Sequence, residues 1–207
     1  MTPAERLEAG AAALGIDLDA AERERLLGHA LLLAKWNRVY NLTALREPDS
    51  VLTGHLLDSL AVLPHLDTDS LADIGSGGGL PGIPLAIARP HWRIALVEAS
   101  HKKASFLTQA KIELGLANVE VVCGRAEHWN SPRKFGCVIS RAFSDLAGFV
   151  SGTAHLLAPG GTFAAMKGAH PSGEIARLPA GCALDRVVRL TVPGLAAARH
   201  LVIVRRT

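Results

Sequence analysis

The residue types with the most chemical potential are concentrated in Ser70-Leu71-Ala72-Asp73-Ile74-Gly75-Ser76-Gly77-Gly78-Gly79-Leu80-Pro81-Gly82-Ile83-Pro84. A short apolar run ends in a carboxylate, turns through glycines 75, 77, 78, 79 and 82, and resumes as an apolar, helix-like run from Ile83 to Ala88. Strand, glycine loop and helix in that order make a turn whose backbone can closely approach a nucleotide. Gly77, Gly79 and Gly82 satisfy G-x-G-x-x-G, and Glu98 lies about 20 residues on, where a dinucleotide's ribose would find its carboxylate. That pattern alone reads as an NAD-dependent oxidoreductase.

Three features oppose a dinucleotide. Pro81 and Pro84 remove backbone N–H donors around the incipient helix terminus, where a pyrophosphate needs them most. Asp73 at the strand's end repels a pyrophosphate and suits a ligand carrying an ammonium group. A chain of 207 residues leaves no room for a separate substrate domain with hydride-transfer machinery. All three favour S-adenosylmethionine, which has an amino acid and a sulfonium where NAD has phosphates. Glu98 keeps its place in either reading, because any adenosine offers a ribose diol to an acceptor at the second strand's tip; the plain alternative is a solvated strand-end acid. Gly124-Arg125-Ala126-Glu127 follows the third strand and is placed to reach an adenine edge, through a backbone N–H or the Glu127 side chain, or merely to turn the chain.

These residues need a scaffold, and the periodicity supplies one. Asp19-Ala20-Ala21-Glu22 has capping-box spacing, and Leu26, Leu27, Ala30, Leu31 and Ala34 then recur at three and four, predicting an amphipathic helix to about Tyr40. A weaker helix from Ala4 to Ala13 ends near Gly15, and another follows Pro48 with Leu52, Leu56, Leu60 and Leu63 at helical spacing. Residues 1–66 read as an N-terminal helical extension. After Pro64 short β-rich runs (71–74, 94–98, 119–123, 137–140, 162–166) alternate with helical ones (102–114, 146–157). Residues 67–207 are therefore expected to form an α/β, Rossmann-like domain around a mostly parallel, doubly wound sheet. Val187 to Val192 and His200 to Val204 read as an antiparallel pair closing one edge.

Composition sets outer bounds. With 49% apolar and 20% charged residues the chain is globular, and no apolar run approaches the roughly 18 residues of a membrane span. The start resembles no signal peptide, so the cytoplasm is the expected location. Cys123, Cys137 and Cys182 lie singly in apolar sequence and read as reduced core residues, without a disulfide framework or a metal site. Residues 1–66 hold six Lys/Arg against nine Asp/Glu and residues 67–207 sixteen against ten, so the second part carries the positive charge and permits a polyanionic partner.

Six stretches carry a resemblance over most of the chain: Tyr40-Asn41-Leu42-Thr43, His55-Leu56-Leu57-Asp58-Ser59, the loop from Asp73 to Leu85, Ile139-Ser140-Arg141-Ala142, Met166-Lys167-Gly168 and Arg199-His200-Leu201-Val202. In this order they closely resemble the RsmG (GidB) family of guanine-N7 methyltransferases acting on 16S ribosomal RNA. The resemblance implies a class I S-adenosylmethionine-dependent methyltransferase, a guanine at rRNA position 527 as the target, and cofactor contacts by Gly75, Leu80, Ala126, Glu127 and Arg141. With Asp73, Gly77 and Glu98 from the loop argument, these form the candidate cofactor set. Relatives often carry Thr at the second loop position and Pro or Ala at the fourth, where this chain has Ser76 and Gly78, and some carry Asp in place of Glu98.

Guanine N7 is a bare lone pair, so attack on a sulfonium methyl needs orientation more than a general base, and no catalytic base is expected. Arg141 beside a sulfonium is favourable only if it pairs with a methionine carboxylate or an RNA phosphate. His55, Asp58 and Ser59 at i, i+3 and i+4, with Asn41-Leu42-Thr43, read either as a polar brace for the extension or as substrate contacts. Lys167, with Lys102, Lys103, Arg199, Arg205 and Arg206, either meets phosphate or is solvated surface. The expected partner is 16S ribosomal RNA or the small subunit, engaged by a monomer. A non-enzymatic RNA-binding assembly factor with a vestigial pocket is the alternative outside enzymology.

Overall fold

The computed structural model describes residues 1–141, 143 and 145–207. Ala142, the last residue of the Ile139-Ser140-Arg141-Ala142 stretch, lies outside the described residues.

Helix α1 (Pro3–Ala13) and helix α2 (Ala20–Tyr40) both begin with reciprocal capping boxes. In the second, Asp19 Oδ1 accepts the Glu22 amide at 2.7 Å and Glu22 Oε2 accepts the Asp19 amide at 2.9 Å, so two otherwise orphaned donors are satisfied. The buried stripe of α2 is Leu26, His29, Leu32, Leu33 and Asn37, and the helix stops where Asn41 turns left-handed at φ 50°. A third helical rod runs as α3 (Pro48–Val51), a π-helical turn (Leu52–Leu57) and α4 (Asp58–Leu60). The π turn interrupts the regular spacing expected there.

Seven strands follow: β1 (Ser70–Ile74), β2 (Arg93–Glu98), β3 (Val119–Cys123), β4 (Phe135–Arg141), β5 (Leu157–Lys167), β6 (Cys182–Leu190) and β7 (Arg199–Arg206). They form one sheet in the order β3-β2-β1-β4-β5-β7-β6, with β1 to β5 parallel and β7 antiparallel to both of its neighbours. The expected C-terminal antiparallel pair is present, but the last strand is internal: β7 slots between β5 and β6, and β6 is the edge. Between the strands lie α5 (Gly82–Ala88), α6 (His101–Glu113), α7 (Leu146–Thr153) and the short α8 (Ser172–Ile175). Strand order reverses between β1 and β4, so the loops leaving their carboxyl ends diverge and open a crevice there.

Apart from the irregularities at Phe135–Cys137 in β4 and Leu184–Arg186 in β6, the strands alternate between two apolar layers. Leu71, Ile94, Leu96, Ile139, Ala164, Met166, Leu201 and Ile203 face α5, α6 and the N-terminal helices, in one cluster with Leu7, Leu26, Leu33, Leu57, Leu60 and Phe106. Ala72, Ile74, Val97, Val138, Phe163, Ala165, Val202 and Val204 face α7, with Phe149 and Val150. The extension therefore shares its core with the sheet. Each fully buried leucine contributes roughly 1.5–3 kcal/mol, so exposing several at once would cost as much as a typical domain's whole stability.

Phe163 is fully buried in β5, with its ring 6.0 Å from that of Phe149 in an edge-on arrangement. Phe163→Ala is expected to lower the unfolding free energy by about 3–5 kcal/mol, measured by denaturant titration.

Candidate functional site

The loop after β1 is held by its own backbone. The amides of Gly75 and Ser76 both donate to Val97 O of β2, at 2.9 and 3.2 Å, and the amides of Gly79 and Leu80 donate to Ser76 O. Gly75, Gly77 and Gly79 have φ of 70°, 55° and 77°, a region where L side chains are strained. A Cβ on Gly75 would meet nothing within 4 Å, so its bare face lines open space. That space is an open cleft formed by Ile74, Gly75, Val97, Glu98, Ala99, residues 124–127 and Phe143. It lies at the carboxyl ends of β1, β2 and β3, at the reversal of strand order. A separate, apolar depression lies between α2 and the segment around α3, lined by Leu27, Leu31, Val51 and Leu56.

Glu98 ends β2 in the cleft wall. Its Oε2 accepts the Gly77 amide at 2.9 Å and its Oε1 accepts the Ser100 amide at 2.8 Å, so both oxygens are aimed while each keeps lone-pair capacity for a hydroxyl. Ala126 is buried and Glu127 exposed in a single 3₁₀ turn after β3, and the Gly124 amide donates to Glu98 O at 3.0 Å. The cleft thus combines carboxylate acceptors with apolar walls from Val97, Ala126 and Phe143, a surface chemically suited to an adenosine.

Asp73 lies behind this surface. Its residue is fully buried, Oδ2 accepts the Gly82 amide at the start of α5 at 2.9 Å, and Oδ1 has no partner among the described residues. Burial pushes its carboxyl up to about 7, with the Gly82 N–H pulling the other way. Gly82 must lack a side chain, because a Cβ would stand 2.2 Å from Leu96 Cδ2 and 2.7 Å from Asp73 Oδ2. Leu80 is also buried, in the cluster shared with the extension.

Arg141 ends β4 on the face that meets the extension. Its Nη1 lies 3.3 Å from Gly54 O, 3.2 Å from His55 Nδ1 and 3.6 Å from Asp58 Oδ2. His55 Nδ1 also lies 2.9 Å from Gly54 O, and its Nε2 lies 2.6 Å from Thr43 Oγ1. Burial and the Arg141 charge hold His55 neutral, its pKa pushed down to about 4. Arg199 of β7 closes the network from the other side, with Nε 3.1 Å from Asp58 Oδ1. Desolvation raises the Asp58 carboxyl and the two guanidiniums oppose that rise. Thr43 in turn takes its place from Asn37, whose Oδ1 accepts the Thr43 amide at 2.9 Å. His55 and Asp58 are buried and link the extension to β4 and β7 through Arg141 and Arg199. Ser59 does not join: its hydroxyl is buried and has no partner among the described residues.

Other cations are also engaged. Lys167 Nζ donates to Phe143 O at 2.6 Å and pairs with Glu174 Oε2 at 2.7 Å, and that same oxygen accepts the Leu146 amide at 2.9 Å. Lys167 thereby ties α8 to the segment that carries Phe143 into the cleft. Arg205 pairs with Asp185. Of the cysteines expected in the core, Cys137 is buried, Cys182 is half-buried and Cys123 is exposed, its sulfur 3.2 Å from His101 Nδ1 at the open end of the edge strand β3. Among the described residues no group of three or more His, Cys, Asp or Glu is arranged to hold a metal ion and no helix is long and apolar enough to cross a membrane.

Of the candidate set, the structure brings Gly75, Glu98, Ala126 and Glu127 into one cleft wall, with Gly77 joined to it through Glu98. Asp73 and Leu80 stand behind the loop, and Arg141 stands at the brace. Sequence reasoning missed Phe143, which lines the cleft, and His29, whose Nε2 lies 2.9 Å from Gly78 O. For His29 a signal existed: it is a polar residue on the buried stripe of α2.

The family model described as rRNA small subunit methyltransferase G (GidB) matches residues 22–202. The chain is 60% identical over 205 residues to the ribosomal RNA small subunit methyltransferase G of Aromatoleum aromaticum, covering 97% of each. It is 54% identical over 213 residues to that of Nitrosospira multiformis, covering 100% of this chain and 99% of the relative. Among solved structures it resembles the glycopeptide N-methyltransferase MtfA complexed with S-adenosyl-L-methionine, with a TM-score of 0.61 at 13% identity over 74% of this chain and 87% of that one. It also resembles TrmN from Thermus thermophilus, with a TM-score of 0.57 at 18% identity over 75% of this chain and 53% of that one. At such identities these two establish the fold, a class I methyltransferase architecture.

The folded chain holds the Asp73 proton more tightly than an unfolded chain, where the carboxyl titrates at its ordinary 3.8. Its contribution to stability is complete at acid pH and is lost as the pH rises toward about 7. Denaturant titrations of wild type and Asp73→Asn at pH 4.5 and 7.5 are expected to show a larger fall for wild type across that interval.

Proposed function

The chain belongs to the rRNA small subunit methyltransferase G (GidB) family, and on that premise we propose that it transfers the methyl group of S-adenosylmethionine to N7 of a guanine, position 527, in 16S ribosomal RNA. The observation that carries the choice of cofactor is the Asp73–Gly82 hydrogen bond. A dinucleotide's pyrophosphate needs open amides at the start of the helix after the glycine loop. Here the Gly82 amide is taken, Pro81 and Pro84 have none, and a buried carboxyl stands behind the loop. The bare face of Gly75, open to the cleft, suits close approach by the amino-acid end of S-adenosylmethionine.

In this reading Glu98 receives the ribose hydroxyls, the segment from Gly124 to Glu127 receives the adenine edge, and Val97, Ala126 and Phe143 enclose the ring. Gly77 and Leu80 set the loop's course. Arg141 turns toward the methionine carboxylate or an RNA phosphate, with a side chain 24% exposed and anchored by Asp58 and Gly54 O. When bound, S-adenosylmethionine supplies an electrophilic methyl on a sulfonium. Guanine N7 brings an unshared pair and no proton, so the protein's work is to orient the two and keep water out; no side chain is assigned as a base. Positive charge moves toward the purine during transfer, and carbonyl oxygens at the mouth of the cleft would stabilise it. Residues 1–66 and 67–207 are proposed as an extension and a methyltransferase domain that share one core. A monomer acting in the cytoplasm completes the proposal.

Incubation with methyl-tritiated S-adenosylmethionine and small-subunit RNA or particles is expected to label one guanine, which chemical cleavage at N7-methylguanine would locate. S-adenosylhomocysteine should raise the melting temperature and NADH should not; the reverse pattern would return the loop to the oxidoreductase reading. Arg141→Lys keeps the charge but loses the planar fork, and is expected to lower methyl transfer by about tenfold or more; unchanged cofactor affinity and transfer would remove Arg141 from the site.

A further inference from the structure

Helix α2 of the extension lies directly on the outer face of the glycine loop. A Cβ on Gly78 would stand 2.8 Å from Leu33 Cδ1, so the loop backbone and the helix touch with no space between them. His29, fully buried one helical turn before Leu33, lies 2.9 Å from Gly78 O through its Nε2. A carbonyl can only accept, so Nε2 carries the proton and donates it. The ring packs against Phe106, with centroids 6.3 Å apart, and its Nδ1 has no partner among the described residues. Burial holds the imidazole neutral, with a pKa near 4, so this donor persists throughout the neutral range. On the inner face of the same short stretch, the Gly77 amide donates to Glu98 Oε2.

We propose that His29 is a positioning residue of the cofactor site: it holds the Gly78 carbonyl from outside, and so fixes the course of the loop two peptide units beyond the Gly77 amide that aims the Glu98 carboxylate into the cleft. The inference rests on the reading of that cleft as the S-adenosylmethionine site. It gives the extension a part in cofactor binding. Without the imidazole the buried Gly78 carbonyl would turn to find another donor, the loop would shift at Gly77, and Glu98 would lose one of its two aiming bonds.

The test compares His29→Phe, which keeps a ring against Phe106 but cannot donate, with His29→Gln, which can, and with His29→Met, close to glutamine in shape but without a donor. Circular-dichroism melts identify the folded variants. The expected result is that His29→Phe and His29→Met bind S-adenosylhomocysteine about tenfold more weakly in calorimetry, raise KM for S-adenosylmethionine and leave kcat at saturation within about twofold, while His29→Gln recovers most of the affinity. A folded donorless variant that binds as wild type does would overturn the proposal, as would equal losses in the methionine and glutamine variants. The wild-type protein offers a readout that needs no variant: its long-range ¹H–¹⁵N imidazole spectrum should show a neutral Nε2–H tautomer for His29 whose signal moves as S-adenosylhomocysteine is added, and an unmoved signal would count against the coupling. If wild type binds S-adenosylhomocysteine but the variants are indistinguishable from it, only this inference fails. If wild type does not bind, the reading of the cleft fails and this inference with it.

Discussion

A carboxyl group sealed beneath the end of the central strand, with one oxygen on the first amide of α5, determines what the glycine loop can hold. Asp73 occupies the place where a helix terminus would otherwise present amides to a phosphate, and it fills that place with a group that is either acidic or negatively charged. The arrangement constrains its neighbours. Gly82 can carry no side chain, because the carboxylate and Leu96 already occupy the volume, and the loop must return over Asp73 within a few residues. Three left-handed glycines allow that return. The same turn leaves Gly75 bare toward the cleft and puts the Gly77 amide on Glu98, so one buried group goes with both the occupied start of α5 and the aim of the Glu98 carboxylate.

The second organising constraint is the period-two alternation of the strands. Asp73, Glu98, Arg141 and Arg199 fall in phase with Leu71, Leu96, Ile139 and Leu201, and hence on the face covered by α5 and the extension. Lys167 and His200 fall in the opposite phase, toward α7. Two arginines directed at the extension need an acid there, and Asp58 meets both. Burying that acid carries a desolvation cost, visible in its raised carboxyl pKa, which the paired guanidiniums offset. The π turn before Asp58 brings Gly54 O and His55 to Arg141 as well. The extension therefore backs the glycine loop, joined to β4 and β7 by charge and to the loop through His29.

Much of this was legible locally. The capping box at Asp19 and Glu22, the helix to Tyr40, the cores of the parallel strands and the glycine turn all follow from short-range spacing, and each is present with shifts at its ends. The β5 and β6 strands start earlier than their apolar cores suggest, because β5 already meets β4 at Leu157 before an irregular stretch that resumes pairing at Thr162, and β6 pairs with β7 from Cys182 across a bulge at Asp185. Ser59 was grouped with His55 and Asp58 on the assumption of a regular helix, and the wider π turn just before it removes that register. Cys123 stands in an apolar run, but that run is the edge strand, whose end is open to solvent.

By itself, then, the amino-acid sequence determined the order of elements, the glycine turn after the first strand, the chemistry hostile to phosphate at Asp73, Pro81 and Pro84, and, through six short stretches, the family. These are properties of neighbours along the chain, where backbone geometry relates spacing directly to shape. Only the tertiary structure decided that Asp73 faces a helix amide from behind the cleft, that Arg141 and Arg199 share Asp58, that Lys167 holds the Phe143 segment, and that His29 reaches Gly78. Each of the last three pairings joins residues more than twenty positions apart. A side chain's phase along a strand or helix tells which face it occupies; its partner is set by how the layers close over one another.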